Sequence, residues 1–297
     1  MENSSKIKLS VVVQANNFEK YVRKCLDSIL MQKVNFEYEL LCSDDCSTDN
    51  SLAILEEYQS KFPNIIKVVK NAKNLGSAKT ALKLYSLTQG QYMTVIDGDD
   101  YLIDENRFRQ QVDFLDQNPD FTGVASNTIM KYEDNSKEDE LIVKSEIPTQ
   151  HTVEDFISAR TYFHTSAIMF RNIYKNRYPN FLSHEYGEGD WIRAIMHSSQ
   201  GNIGYIDKIV SVYRVHNKGA WNKMNDFQKM NRNTYACVHF NQFLEKKYDQ
   251  LFASRIKIFV EHIIASFPKE MSWNRHFLSR LQYEILLMKD NKSLNKI

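Results

Sequence analysis

The chain has 297 residues, 42% hydrophobic, 12% aromatic and 25% charged, a balance that builds a buried core and excludes a disordered or low-complexity protein. Lys plus Arg number 38 against 37 for Asp plus Glu, a net charge of +1, so the global basic excess of a nucleic-acid binder is missing. Four cysteines, at positions 25, 42, 46 and 237, form no Cys-x-x-Cys pair and no zinc spacing, and read as free thiols of a reducing compartment. The polar stretch Met1 to Lys8 precedes only a short apolar run, Leu9 to Val13, shorter than a signal peptide needs. No stretch reaches the roughly 18 apolar residues of a membrane span. The expectation is a cytoplasmic protein, with peripheral contact at the inner face of the plasma membrane left open.

Leu9 to Ala15 is a β-branched run, and Phe18, Tyr21, Val22, Cys25, Leu26, Ile29 and Leu30 then follow at the three-and-four spacing of one helical face. The alternation continues with a strand over 36–42, a helix over 52–58, a strand over 65–69, a helix over 78–87 and a strand over 92–96. Such a pattern predicts an α/β fold: a mostly parallel sheet flanked by helices, binding ligands beyond the carboxyl ends of its strands. A helix over 108–115, a strand over 121–130, an exposed polar loop over 133–145, a strand over 166–170, a helix over 191–196 and a strand over 209–215 complete the sheet region. Beyond Trp221 only helical periodicity remains, over 227–243, 251–267 and 277–288. The expected division is therefore 1–221, made of halves 1–103 and 104–221, followed by a helical region 222–297.

Two carboxylate clusters fall in the loops that the strand order marks. One is Asp44, Asp45, Cys46, Ser47, Thr48, Asp49, Asn50, Ser51; the other is Asp97, Gly98, Asp99, Asp100. Like charges gathered at a sheet end cost stability unless a counter-charge meets them, and hard oxygen ligands suit Mg²⁺ or Mn²⁺ bound with an anionic ligand. Plainer uses compete: Asp49 or Asn50 is a fair start for the helix that follows, and Asp97-Gly98 is a common turn signal.

Order and spacing of these blocks resemble family 2 glycosyltransferases of GT-A (Rossmann-like) fold, of the bacterial surface polysaccharide type. The resemblance lies in Leu9 to Asn17, Tyr21, Cys25, Leu26, Ser28 and Ile29, Asp44 to Ser51, Asn74 and Gly76, and Tyr92 to Leu102, and returns more weakly over 188–221. It implies inverting transfer of a sugar from a nucleotide-diphosphate donor, a UDP-sugar in the first place, to a saccharide or glycolipid. Asp45 matches the carboxylate that reads the uracil ring, Asp99 the one that holds the metal, and Asp97 the first acid of that motif. Backbone near Val13 and Gln14 would line the base pocket, where Gln14, Ala15 and Asn16 replace the usual Pro, Thr and Tyr, and Cys46 replaces a common Gly. The loop Asn71 to Lys79, with Asn74, matches the segment bordering the nucleotide; Lys79 is either a phosphate ligand or a solvated lysine.

An inverting transfer needs a base outside the metal cluster. The resemblance places it at Asp190, with Glu188 as the rival, since the two acids are separated by Gly189 rather than adjacent. Asp190 as a simple helix cap is the alternative. Tyr213, Arg214, Val215, His216, Gly219 and Trp221 match a further block: Arg214 is expected near phosphate or paired with an acid, and His216 on the metal or the diphosphate. Arg255, Lys257, Lys269, Arg275 and Arg280 lie among apolar helical faces, which fits core packing, a homodimer contact or, less simply, an anionic membrane. Two other functions share these residues: a nucleotide-sugar or glycan binding protein without turnover, and a sugar nucleotidyltransferase. The second is disfavoured by the lack of a glycine over 14–20, where a phosphate loop would lie.

Overall fold

The structure, a computed structural model, describes residues 7–158, 162–175, 177–183, 189–217, 219 and 224–266. The chain divides into two compact units, Met1–Phe156 with Thr161–His216, and Ile157–Arg160 with Asn217–Ile297.

The first unit begins with β1 (Leu9–Ala15), α1 (Val22–Leu30), β2 (Tyr38–Asp44), α2 (Ser51–Lys61), β3 (Ile66–Lys70), α3 (Ser77–Leu87) and β4 (Tyr92–Asp97). Then come β5 (Tyr101–Leu102), α4 (Arg107–Gln117), β6 (Phe121–Tyr132), β7 (Glu140–Leu141), β8 (Gln150–His151), α5 (Val153–Ile157), β9 (Ile168–Arg171), α6 (Asp190–Ser198) and β10 (Asn202–Val215). The main sheet runs β3-β2-β1-β4-β9-β6-β10-β5. Its first four strands are parallel to their neighbours, and β9 enters antiparallel to both β4 and β6.

Strand β1 is central, and its side chains alternate between two covered faces. Val11 and Val13 pack with Cys25, Leu26 and Ile29 of α1, Leu55 of α2 and Phe108 of α4. Val12 turns the other way, to Ala81, Leu84 and Tyr85 of α3. Helix α1 buries Val22, Cys25, Leu26 and Ile29, the spacing of one helical stripe. With both faces covered, the carboxyl ends of β1, β2 and β4 are left to carry polar groups.

The strand expected over 209–215 starts earlier, at Asn202, because register shifts around Tyr205 and Ile209 break the alternation over an exposed stretch, Asp207 to Ile209. The polar loop expected over 133–145 carries the two-residue β7. Strands β5 and β8 and helix α5 are too short for periodicity to reveal. In the second unit, α7 (Asp226–Phe243) opens on a capping box between Asn225 and Gln228, and α8 (Asp249–Ser266) follows. The helix expected over 277–288 lies outside the described residues.

Candidate active site

The loop after β2 is built by its own acids. Asp45, 6% exposed, accepts hydrogen bonds from Asn71 Nδ2 (2.9 Å) and Leu75 N (2.9 Å) on Oδ1 and from Gly76 N (3.0 Å) on Oδ2. A carboxylate offers about four lone-pair positions, so three are used and one remains on Oδ2. Gly76, at φ +82°, makes the approach of that loop possible before α3 begins. Asn74 is exposed and accepts from Gly76 N at 3.0 Å, and Lys79 is exposed. Asp44 accepts from Ser47 N on one oxygen and leaves the other buried without a partner. Asp49 accepts from Ser51 N and Glu19 N, tying the start of α2 to the chain before α1. Asn16 donates to the Asp45 carbonyl at 2.8 Å, and Asn17 and Cys46 both adopt φ +60°, Cys46 in the conformation that glycine takes most easily.

Beside this loop, β4 ends on Asp97. Gly98 N donates to Gln14 O at 2.9 Å, and a Cβ at Gly98 would meet that same oxygen at 2.7 Å, so the turn needs glycine for close approach. Val13 is buried in the sheet core one residue before Gln14. The turn sends Asp99 and Asp100 in different directions. Asp99 Oδ2 lies 3.0 Å from His216 Nε2, and Asp99 O accepts from Arg214 Nη1 at 2.6 Å. Asp100 accepts from Arg214 N on Oδ1, while its buried Oδ2 has no hydrogen-bond partner and faces His164 Nε2 at 3.7 Å. Arg214 is held between the Tyr21 and Tyr101 rings and pairs with Glu133 at 3.4 Å. Its charge is thereby committed to the protein's own acid and carbonyl.

Helix α6 brings the opposite wall. Asp190 accepts from Tyr162 Oη (2.6 Å) on Oδ2 and from Trp191 N (2.8 Å) on Oδ1, and Trp191 Nε1 donates to Phe156 O. Arg193, one turn on, is 5% exposed and donates to Tyr85 Oη at 2.8 Å and to Thr165 Oγ1. The two walls feel each other. Burial, then Asp99 and Asp190, push the Asp97 carboxyl up to about 7 against the opposing charge of Arg193. Burial, Asp99 and Asp97 hold Asp100 well above the usual carboxylate range. Burial takes His164 down to about 4, so its ring is neutral, stacked on Tyr213 at 4.4 Å and bonded to Ser166 Oγ at 2.8 Å.

Asp97, Asp99, Asp100 and Asp190 thus share one electrostatic neighbourhood at the carboxyl end of the sheet. Asp99 and His216 offer a hard oxygen and an imidazole nitrogen side by side, a donor set that suits Mn²⁺ or Mg²⁺. Among the described residues no three side chains converge as a metal-ligating group, so most of a cation's shell would come from ligand oxygens and water. Glu188 and Trp221 lie outside the described residues. Sequence reasoning missed Arg193 and Tyr162. The signal for Arg193 was its place inside the apolar stretch Ile192, Ala194, Ile195, Met196, all buried, where a cation needs an acid or a hydroxyl partner. Tyr162 carried no periodic signal.

A mixed α/β sheet whose parallel strands β2 and β4 end on Asp44 and Asp97 has the architecture of the GT-A fold. Residues 10–177 match the sequence model of glycosyl transferase family 2, and the chain belongs to that family. An uncharacterized protein of Mycobacterium tuberculosis is 28% identical over 219 residues, which is 72% of this chain and 60% of that protein. The chain therefore spans less than two thirds of that relative. Poly(ribitol-phosphate) beta-glucosyltransferase of Bacillus spizizenii is 34% identical over 104 residues, 35% of this chain and 16% of that enzyme. Among solved structures, residues 1–349 of Staphylococcus aureus TarS in complex with UDP-GlcNAc superpose with TM-score 0.64 at 20% identity, covering 91% of this chain and 76% of that one. A Pyrobaculum calidifontis mannosyltransferase in complex with GDP-Man and Mn²⁺ gives TM-score 0.57 at 14% identity, covering 99% and 89%.

Proposed function

We propose that the protein is an inverting, metal-dependent glycosyltransferase. It moves a sugar from a nucleoside diphosphate donor, in the first place a UDP-sugar, to a hydroxyl of a bacterial surface saccharide or lipid-linked saccharide. The observation that carries the reading is the meeting of Asp97, Asp99 and Asp100 on one wall with Asp190 on the other, a charge arrangement that a protein without a cationic ligand would pay for in stability. UDP, UDP-GlcNAc and GDP-Man bound to structural neighbours support a nucleotide donor, and Mn²⁺ in one of them supports a divalent cation.

In this reading the free position on Asp45 Oδ2 accepts a base N–H, and Asp99 and His216 hold Mn²⁺ or Mg²⁺. The cation supplies neutralisation of the diphosphate's charge. Asp190 takes the proton of the acceptor hydroxyl; the hydroxyl oxygen bonds to the anomeric carbon from the face opposite the diphosphate, and the bond to the phosphate oxygen breaks with its electron pair leaving on the diphosphate. Arg193, fixed by Tyr85 and Thr165, limits the repulsion between Asp97 and the rest of the acids. Incubation with UDP- and GDP-sugars, Mn²⁺ and simple saccharide acceptors should give a glycoside of opposite anomeric configuration to the donor. Donor binding with no turnover on any acceptor, water included, would favour a binding protein instead.

A further inference from the structure

Tyr162 precedes the turn that leads into β9 and stands outside every motif that the sequence displays. Although the residue as a whole is 46% exposed, its hydroxyl is committed: Oη donates to Asp190 Oδ2 at 2.6 Å. Asp190 Oδ1 is occupied by Trp191 N at 2.8 Å, so each carboxylate oxygen carries one fixed donor. With both oxygens engaged, the carboxylate cannot rotate about its Cβ–Cγ bond without breaking a hydrogen bond, and each oxygen keeps a second lone pair. We infer that Tyr162 is a positioning residue for the transfer reaction: its hydroxyl sets the plane of the Asp190 carboxylate and leaves a lone pair free to receive the acceptor's proton. This inference rests on the reading of Asp190 as the base.

The chemistry is consistent on both sides of the hydrogen bond. Burial of the hydroxyl and the charge of Asp190 hold the Tyr162 phenol well above its ordinary value, so it remains a donor wherever Asp190 is ionised. The other groups around Asp190 act differently. Asp97 on the β4 side repels its charge, whereas Arg193 on α6 and neutral His164 are held by partners of their own, and the Tyr213 ring stacks on His164. Within the described residues, Tyr162 is the side chain that hydrogen-bonds Asp190. No proton is transferred to or from Tyr162; it donates throughout.

The test compares wild type, Tyr162→Phe and Asp190→Asn with the nucleoside diphosphate sugar that the wild type turns over with Mn²⁺, reading nucleoside diphosphate release with water as the acceptor. Tyr162→Phe keeps the exposed ring and loses only the hydroxyl, so its thermal midpoint should stay close to wild type. The expected result is a kcat lower by roughly tenfold, the size of one hydrogen bond to a charged group, with donor KM within twofold. A Tyr162→Phe enzyme with wild-type kcat and donor KM, alongside an inactive Asp190→Asn, overturns the positioning role and spares the base. An Asp190→Asn enzyme that still turns over overturns the base and this inference with it.

Discussion

Asp190 and Asp97 make opposite demands on their surroundings, and each yields its own test. Replacing Asp190 by Asn removes the proton acceptor while keeping the hydrogen bonds at the start of α6 largely in place. Transfer should fall by about 10²–10⁴-fold with nucleotide affinity unchanged, checked by initial rates and by equilibrium binding of the donor. Asp97 has a folded-state value raised to about 7, so it favours the folded form at low pH and costs stability as pH rises towards that value. The metal-free Asp97→Asn protein should therefore differ least from wild type near pH 4, the unfolded carboxyl's range, and exceed it by several degrees in thermal midpoint near pH 8, the margin growing between the two and levelling off above about pH 7. Paired melts at the two pH values check this; a difference that is the same at both would contradict the buried-acid environment.

The elements show how the fold delivers these residues. Gly98 turns the chain after β4 against the backbone of β1, where an added Cβ has 2.7 Å to Gln14 O. Gly98→Ala should destabilise by about 1–3 kcal/mol and weaken nucleotide binding with it, since Asp97 and Asp99 flank the displaced turn. By contrast, Leu26→Ala on the buried stripe of α1 should cost about 3 kcal/mol by urea unfolding and leave the site chemistry intact in the remaining folded fraction. Strong periodicity made β1 to β4 and their helices legible, because residues buried on two faces or along one stripe leave a repeating mark. The acids near the ends of β2 and β4 stand out in the sequence as two clusters, and the fold sets both at the carboxyl ends of parallel strands. Asp100, Arg193 and Tyr162 mattered in ways no spacing could show. Their partners, His164 at 3.7 Å, Tyr85 and Asp190, lie on other elements, and only the folded sheet brings them together.

At the level of the whole molecule, the nearly neutral chain gathers Asp97, Asp99, Asp100 and Asp190 into one electrostatic neighbourhood beside Arg193 and Arg214. No helix among the described residues is long and apolar enough to cross a membrane. On α8, Arg255 lies over the Phe259 ring at 4.5 Å, while Lys257, largely exposed, pairs with Glu261 at 3.7 Å. Sedimentation with anionic liposomes should leave the protein in the supernatant; retention in the pellet that salt reverses would establish an electrostatic membrane contact. In the proposed reading the carboxylates take a cation together with a diphosphate. Calorimetric titration of UDP into the protein, with and without Mn²⁺, in wild type and in Asp99→Asn, tests this most directly. Wild type should bind UDP at least tenfold more tightly with Mn²⁺, and Asp99→Asn should lose that enhancement; equal affinity in all four titrations would contradict a cation-bridged nucleotide site at Asp99.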